Sequence, residues 1–220
     1  MKHFIIIKHE SQRVRGKNFQ IVGESPLWKN LLHELSNEDV YIDTDSKVVF
    51  QECKDLEYVT CYKRLNEHIQ LENDGVFKVS PALLMIERFL DTHVKNENEV
   101  IVTPHVTSPF IKLSTIKSAA EKLNEGYDSV QACTSHKEFA YFDGEPVNFN
   151  PRVVQKTQDL KPVILGNGAF FIFTKKTFKE NKNRTGKNPF FYTIQMPESI
   201  EIDTYEDLEL AQRWVTNGNN

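Results

Sequence analysis

Apolar runs alternate along this chain with polar segments whose leucines recur at helical spacing. His3 to Ile7 is aromatic and β-branched, as a central strand would be. Its apolar part ends when charge resumes at Lys8, which marks a buried strand rather than a secretory signal. Val40-Tyr41-Ile42, Tyr58 to Cys61, Val100 to Thr103 and Asp128 to Cys133 read as four further strands. Ser25-Pro26 and Ser80-Pro81 each open a helix, with serine as cap and proline in the first turn. Leu27, Leu31, Leu32 and Leu35 follow the first signal, and Leu83 to Leu90 the second. Another helix is expected from about Lys112 to Asn124. The alternation predicts a Rossmann-like, doubly wound α/β fold with a mostly parallel sheet and helices on both faces.

The pattern changes after residue 135. Phe139 to Phe149 alternates around Asp143-Gly144, a hairpin turn signal. An irregular stretch, Asn150 to Leu165, leads to Asn167-Gly168 and the apolar run Ala169 to Phe173. An inserted arm at about 137–165 suits oligomerisation or the wall of a site. Glu180 to Arg184 reads as polar and exposed, and the tail Thr216 to Asn220 as disordered. Without repeats or a linker, residues 1–220 read as one domain.

Composition narrows the choices. A chain of 220 residues can bury the core of one α/β domain. No apolar run approaches the roughly 20 residues of a membrane span. The net charge of −4 argues against a general nucleic-acid surface, so phosphate chemistry needs a local basic cluster. Cys53, Cys61 and Cys133 lack metal-ligand spacing. An odd cysteine count without a signal peptide leads to the expectation of a reducing cytoplasm.

Two segments carry candidate chemistry. Lys8, Arg13, Arg15 and Lys17 fall within ten residues after the first strand. In doubly wound sheets ligands bind beyond the carboxyl ends of strands, and a triphosphate needs several cations and backbone N–H donors. Gly16 lets the backbone approach closely. The residues alone fit a phosphate loop and a solvated turn equally well, and neither a P-loop nor a dinucleotide fingerprint is present. The second segment is Ser199 to Thr204, a strand-like run placing Glu201 and Asp203 on one face and Ile200 and Ile202 on the other. Such a pair can hold magnesium together with substrate phosphates. Taken alone, a solvated acidic face with Asp203 as a cap accounts for it at least as well. Thr204 can cap the helix that follows, where Glu206 and Asp207 suit the first turn.

Four segments, in order, resemble the acylneuraminate cytidylyltransferase family, which makes CMP-sialic acids and related CMP-sugar acids. They are Ser11 to Asn18 (SQRVRGKN), Thr107-Ser108-Pro109, Gln158 to Val163 (QDLKPV) with Asn167-Gly168-Ala169, and Glu198 to Leu208 (ESIEIDTYEDL). The resemblance implies a fold of the nucleotide-diphospho-sugar transferase type. It also implies transfer of CMP from CTP to the anomeric hydroxyl of a 2-keto-3-deoxy sugar acid, with magnesium assisting and pyrophosphate leaving. By the same resemblance, Arg13, Lys17 and Asp203 match catalytic positions. Lys8, Arg13, Gly16, Lys17, Asn18 and Arg64 match nucleotide-binding ones, and Asp203 with Glu201 the metal site. His105, Thr107, Ser108, Gln158 and Asn167 match the sugar side. The resemblance also implies a homodimer whose arm reaches the partner's site, which gives a role to Phe139, Tyr141, Phe142 and Phe149 in the contact and suggests one for Lys137 or Arg152.

Departures from the family pattern concentrate on the sugar side. His105, Ile111 and Thr157 stand where the family has glutamine and two arginines. On the nucleotide side Lys8 replaces an arginine, which keeps the charge without the planar fork, and Glu201 replaces an aspartate. The Thr-Ser-Pro segment favours a sialic-acid-like acceptor over Kdo. Another sugar acid such as Kdo, or nucleotide binding without catalysis on the same scaffold, remain alternatives. No general base is evident.

Overall fold

The computed structural model describes residues 1–75 and 78–218. Seven strands form one sheet: β1 (Lys2–Ile7), β2 (Asp39–Thr44), β3 (Val59–Lys63), β4 (Val100–Pro104), β5 (Ser129–His136), β6 (Val163–Thr174) and β7 (Pro189–Thr193). Their spatial order is 3-2-1-4-6-5-7. β6 runs antiparallel to both β4 and β5, and the other pairings are parallel. This is the expected mostly parallel, doubly wound α/β sheet. Its order reverses beside β1, where ligands collect in such sheets.

Alternation along β1 sends side chains to two cores. Ile5 and Ile7 join Ile42, Val102, Phe170 and Ile172 beneath α1 (Leu27–Glu34). Phe4 faces the other way, with Ile101 and Phe173, against Phe89 and Met85. Those two belong to α4 (Pro81–His93), which follows the short helices α2 (Lys47–Glu52) and α3 (Asn66–Asp74). α5 (Leu113–Ala120) adds Ile116 and Ala119 to the first core, and α6 (Lys175–Asn181) adds Phe178 to the second. Each fully buried side chain of this size contributes about 1.5–3 kcal/mol. A third cluster joins Val14, Val22, Leu27, Ile200 and Ile202 to Leu208 and Ala211 of the last helix, α7 (Tyr205–Gly218).

Several local expectations change. Ser25 and Pro26 pair with Ile21–Val22 in a two-strand ribbon, so Pro26 takes the cap position of α1 and no side chain caps it. Ser80 precedes α4 with Pro81 in its first turn, and its side chain makes no cap bond either. The helix expected to Asn124 tightens into a 3₁₀ turn from Glu121 to Glu125. Residues 163–165, expected as the end of an irregular stretch, and the Asn167-Gly168 that follows them belong to β6, where the register slips between Gly166 and Phe171. The hairpin forms only over Tyr141–Phe142 and Glu145–Pro146, with Asp143 and Gly144 both at positive φ. Residues 216–218 of the expected disordered tail are helical, and Asn219 and Asn220 lie outside the described residues. No helix among the described residues is long and apolar enough to cross a membrane.

Candidate active site

The loop after β1 folds back on itself before it can carry charge outward. Val14 is fully buried in the third cluster, which anchors the loop beside Ile200 and Ile202. Gly16 adopts the left-handed conformation (φ 58°, ψ 32°) and starts the 3₁₀ turn Lys17–Phe19. Asn18 is buried and donates from Nδ2 to the Lys8 carbonyl (2.8 Å), closing the loop. Apolar burial and backbone bonds therefore position the backbone that carries the cations on either side of Val14.

Residues 199–204 are not a strand, contrary to their alternation. Their amides have no neighbouring strand to pair with. Ile202 N–H donates to the Thr107 carbonyl (2.8 Å), tying the segment to the loop after β4. The alternation still sorts the side chains, with Ile200 and Ile202 buried and Asp203 partly exposed. Asp207 Oδ2 accepts from Thr204 N–H (2.8 Å) while Thr204 Oγ1 accepts from Asp207 N–H (3.2 Å). This reciprocal box caps α7 and holds Asp207 below the usual carboxylate range; its partial burial acts the other way and is outweighed by these bonds.

Loop and acidic segment meet at Asp203. Its Oδ1 accepts from Arg13 Nη2 (2.7 Å) and Lys17 Nζ (3.0 Å), and Lys17 also donates to the Ile202 carbonyl (2.9 Å). The three residues matched to catalytic positions thus form one cluster beyond the carboxyl end of β1. Arg15 N–H donates to the Tyr205 hydroxyl (3.1 Å). Glu201 turns the other way, accepting from Gly168 N–H at Oε2 (2.9 Å). Burial raises its pKa most, and the charge of Asp203 adds to the rise. A Cβ on Gly168 would lie 2.0 Å from Glu201 Oε1, so the small residue makes room for this carboxylate.

Not every expected residue joins the cluster. Lys8 pairs with Glu72 (3.1 Å). Arg64, matched to a nucleotide contact, is fully buried: Nε pairs with Asp43 (2.8 Å), Nη1 with Glu72 (2.8 Å), and Nη2 donates to the Ile7 and Asp43 carbonyls. Its donors are spent on the strand ends beneath the site, so it supports the site without lining it. Asn167 likewise bridges β6 to the acidic segment, donating to the Ser199 carbonyl (3.1 Å) and accepting from Ala169 N–H (2.9 Å). Gln158 is exposed on the arm, where its carbonyl accepts from Lys137 (3.0 Å). Ser108 is buried and lines a cleft of about 490 Å³ between α1 and the loop after β4. Thr107 is half-buried and contributes the carbonyl that holds Ile202.

His105 does sit beside the cluster, with a partner that the sequence did not suggest. Its Nε2 lies 3.2 Å from Arg184 Nη1. Arginine only donates, so Nε2 accepts and the neutral ring carries its proton on Nδ1. Burial, then the charges of Arg184 and Lys17, push its pKa down to about 3. Arg184, expected as exposed, is half-buried with its guanidinium carbon 3.8 Å from the centre of the Phe171 ring. Its lone position in a polar run gave no signal of this, because the burying contacts come from β4 and β6.

Comparison with known proteins fits this geometry. Residues 4–214 match the sequence model of a family described as Cytidylyltransferase. N-acylneuraminate cytidylyltransferase A of Danio rerio is 28% identical over 145 residues, 62% of this chain and 33% of the relative. The N-acylneuraminate cytidylyltransferase of Streptococcus agalactiae is 24% identical over 77% of this chain and 41% of its own. The chain thus spans half or less of the curated relatives it matches. Among solved structures, a CMP:2-keto-3-deoxy-manno-octonic acid synthetase complexed with CTP superposes with a TM-score of 0.64 at 11% identity, covering 98% of both chains. A 4-diphosphocytidyl-2C-methyl-D-erythritol synthase from Anaerococcus prevotii gives 0.66 at 12% identity, covering 98% of this chain and 96% of that one. These two likenesses establish the fold, and the family match over nearly the whole chain establishes that it belongs to the cytidylyltransferases.

Proposed function

We propose that this chain transfers CMP from CTP to the anomeric hydroxyl of a sialic-acid-like 2-keto-3-deoxy sugar acid. The observation that carries the reading is the meeting of Arg13 and Lys17 with Asp203 beyond the carboxyl end of β1. The N-acylneuraminate relatives support the acceptor class. In the reaction the acceptor oxygen bonds to the α-phosphorus as the bond to the bridging β-phosphate oxygen breaks. Pyrophosphate carries away the bonding pair, and the hydroxyl proton passes to a base. His105 is a poor candidate for that base, because its Nε2 is engaged and its pKa lies far below neutrality.

The chain's own task is charge stabilisation and in-line placement. Arg13 and Lys17 exchange Asp203 for triphosphate oxygens, which frees the aspartate. Magnesium suits the aspartate so freed: Asp203 is a hard oxygen donor, with the carboxylate of Glu201, held by Gly168 N–H, close enough for the two charges to repel. Bound there with the phosphates, it would supply Lewis-acid stabilisation of developing charge.

The arm is proposed to form a homodimer contact. Phe142 is 79% exposed and Val154 fully so, with Tyr141, Val153 and Leu165 also open to solvent. Exposed apolar side chains gathered along the arm suit a contact with a partner chain.

The reading is tested on the site residues. With CTP, magnesium and a panel of N-acetylneuraminate, legionaminate, pseudaminate and Kdo, Asp203→Asn and Lys17→Met should each lower pyrophosphate release by about 100-fold or more. Turnover within threefold of the parent chain in both variants would refute the assigned site.

A further inference from the structure

The loop between α6 and β7 is built with more order than a polar connection needs. Asp128 Oδ2 accepts from Lys187 N–H (2.6 Å) and Asn188 N–H (2.9 Å), and Ser129 Oγ accepts from Gly186 N–H (2.8 Å). A Cβ on Gly186 would lie 2.3 Å from Asp128 Oδ1, so only glycine lets the carboxylate approach. This cradle fixes the residue two positions earlier, Arg184. The side chain lies flat on Phe171 of β6 and reaches His105 at the end of β4.

The guanidinium is cationic and, among the described residues, has no carboxylate within 4.0 Å. Its two side-chain contacts among the described residues are neutral. Phe171 offers a ring face, and His105 accepts one N–H through a neutral nitrogen. Burial alone lowers the pKa of Arg184 to about 10, which is the cost of desolvating a cation without an anion beside it. Cations in such settings are normally paired. A planar fork with one N–H spent on His105 has an edge free for two parallel bonds to a carboxylate. Arg13 and Lys17, the cations assigned to the phosphates, are engaged with Asp203 rather than with Arg184.

We propose that Arg184, oriented by His105 and Phe171, receives the carboxylate of the acceptor acid and so selects acids over neutral sugars. This rests on the sugar-acid reading above. It places a specificity-determining residue in a segment where the sequence motifs suggested none. His105 acts as a positioning residue: its acceptor nitrogen fixes the plane of the guanidinium.

The experiment compares the parent chain with Arg184→Gln and Arg184→Lys. Each is tested on the panel acid turned over fastest by the parent and on that acid with its carboxyl converted to the amide. Arg184→Gln should raise KM for the acid by about 10- to 100-fold, the range of a hydrogen bond to a charged group, with KM for CTP within twofold. The amide should be handicapped against the parent chain by a similar factor and suffer no further loss against Arg184→Gln. Arg184→Lys, which keeps charge and stem, should fall between the two and confirms that folding is intact. An unchanged KM for the acid in Arg184→Gln overturns the inference while leaving the sugar-acid reading in place. A raised KM for CTP instead assigns Arg184 to the nucleotide and also overturns it. No turnover of any panel acid by the parent chain overturns both.

Discussion

Two histidines, one just past β4 and one in β1, illustrate how surroundings decide a residue's chemistry. His105 follows β4 beside the charged cluster, and the match to the family's sugar side placed it there. Its neutrality, its engaged Nε2 and its arginine partner depend on residues 66 and 79 positions further along, which no local pattern reveals. His3 in β1 is fully buried, with both ring nitrogens unpartnered among the described residues. Burial pushes its pKa down to about 4. Above the unfolded-state value of about 6.5 the ring is neutral in both states and contributes no pH dependence. As pH falls from about 6.5 to 4 the unfolded chain takes up a proton that the folded chain refuses. Stability should drop by up to about 3 kcal/mol over that window. Urea unfolding midpoints followed from pH 7.5 to 4.5 check this, and His3→Leu should flatten the fall. Parallel curves for the two proteins would show that His3 does not set it.

At the scale of elements, the strands were legible because they are apolar or β-branched and bounded by charge or turn residues. The two failures share a cause. Ser199 to Thr204 alternates like a strand, yet its neighbours are a loop carbonyl and a helix, so no ladder forms. The start of β6 carries Gly166, Asn167 and Gly168, which depress strand propensity, but pairing with β5 overrides it. The charged layer under the site was legible only in part: Arg64 was singled out, but its burial against Asp43 and Glu72 was not. Asp43 and Arg64 have fully buried side chains, and burial holds the Asp43 carboxyl above its ordinary range despite the guanidinium beside it. Removing only the arginine leaves that buried carboxylate with just the longer contact to Arg88 Nη1 (3.5 Å) among the described residues. Arg64→Met should cost about 3–5 kcal/mol, whereas the double variant Arg64→Met/Asp43→Leu should recover much of the loss. Thermal or urea unfolding measures both; equal destabilisation by single and double variants would contradict the pairing argument.

Across the whole molecule, one apolar cluster explains why two distant charged segments become a site. Val14, Ile200 and Ile202 pack with Leu208 and Ala211 of α7, so burying the residues between the charges brings Arg13 and Lys17 onto Asp203. Each segment was visible in the sequence, but only their order beside the other motifs suggested that they act together. The arm presents the converse, apolar side chains with nothing of their own chain to cover them. Phe142→Asp with Val154→Asp should convert a dimer to monomers in sedimentation equilibrium while leaving the far-ultraviolet circular dichroism unchanged. A parent chain that is already monomeric at micromolar concentration would rule out the arm as a dimer contact.

The central claim is that CMP moves from CTP to a sugar acid. Phosphorus-31 NMR of the protein with CTP, magnesium and each panel acid follows that bond directly. The account predicts pyrophosphate and one new phosphodiester resonance growing together, in equal amounts, only when an acid is present. CTP that stays intact with every acid, or that breaks down without one and yields no phosphodiester, would contradict it.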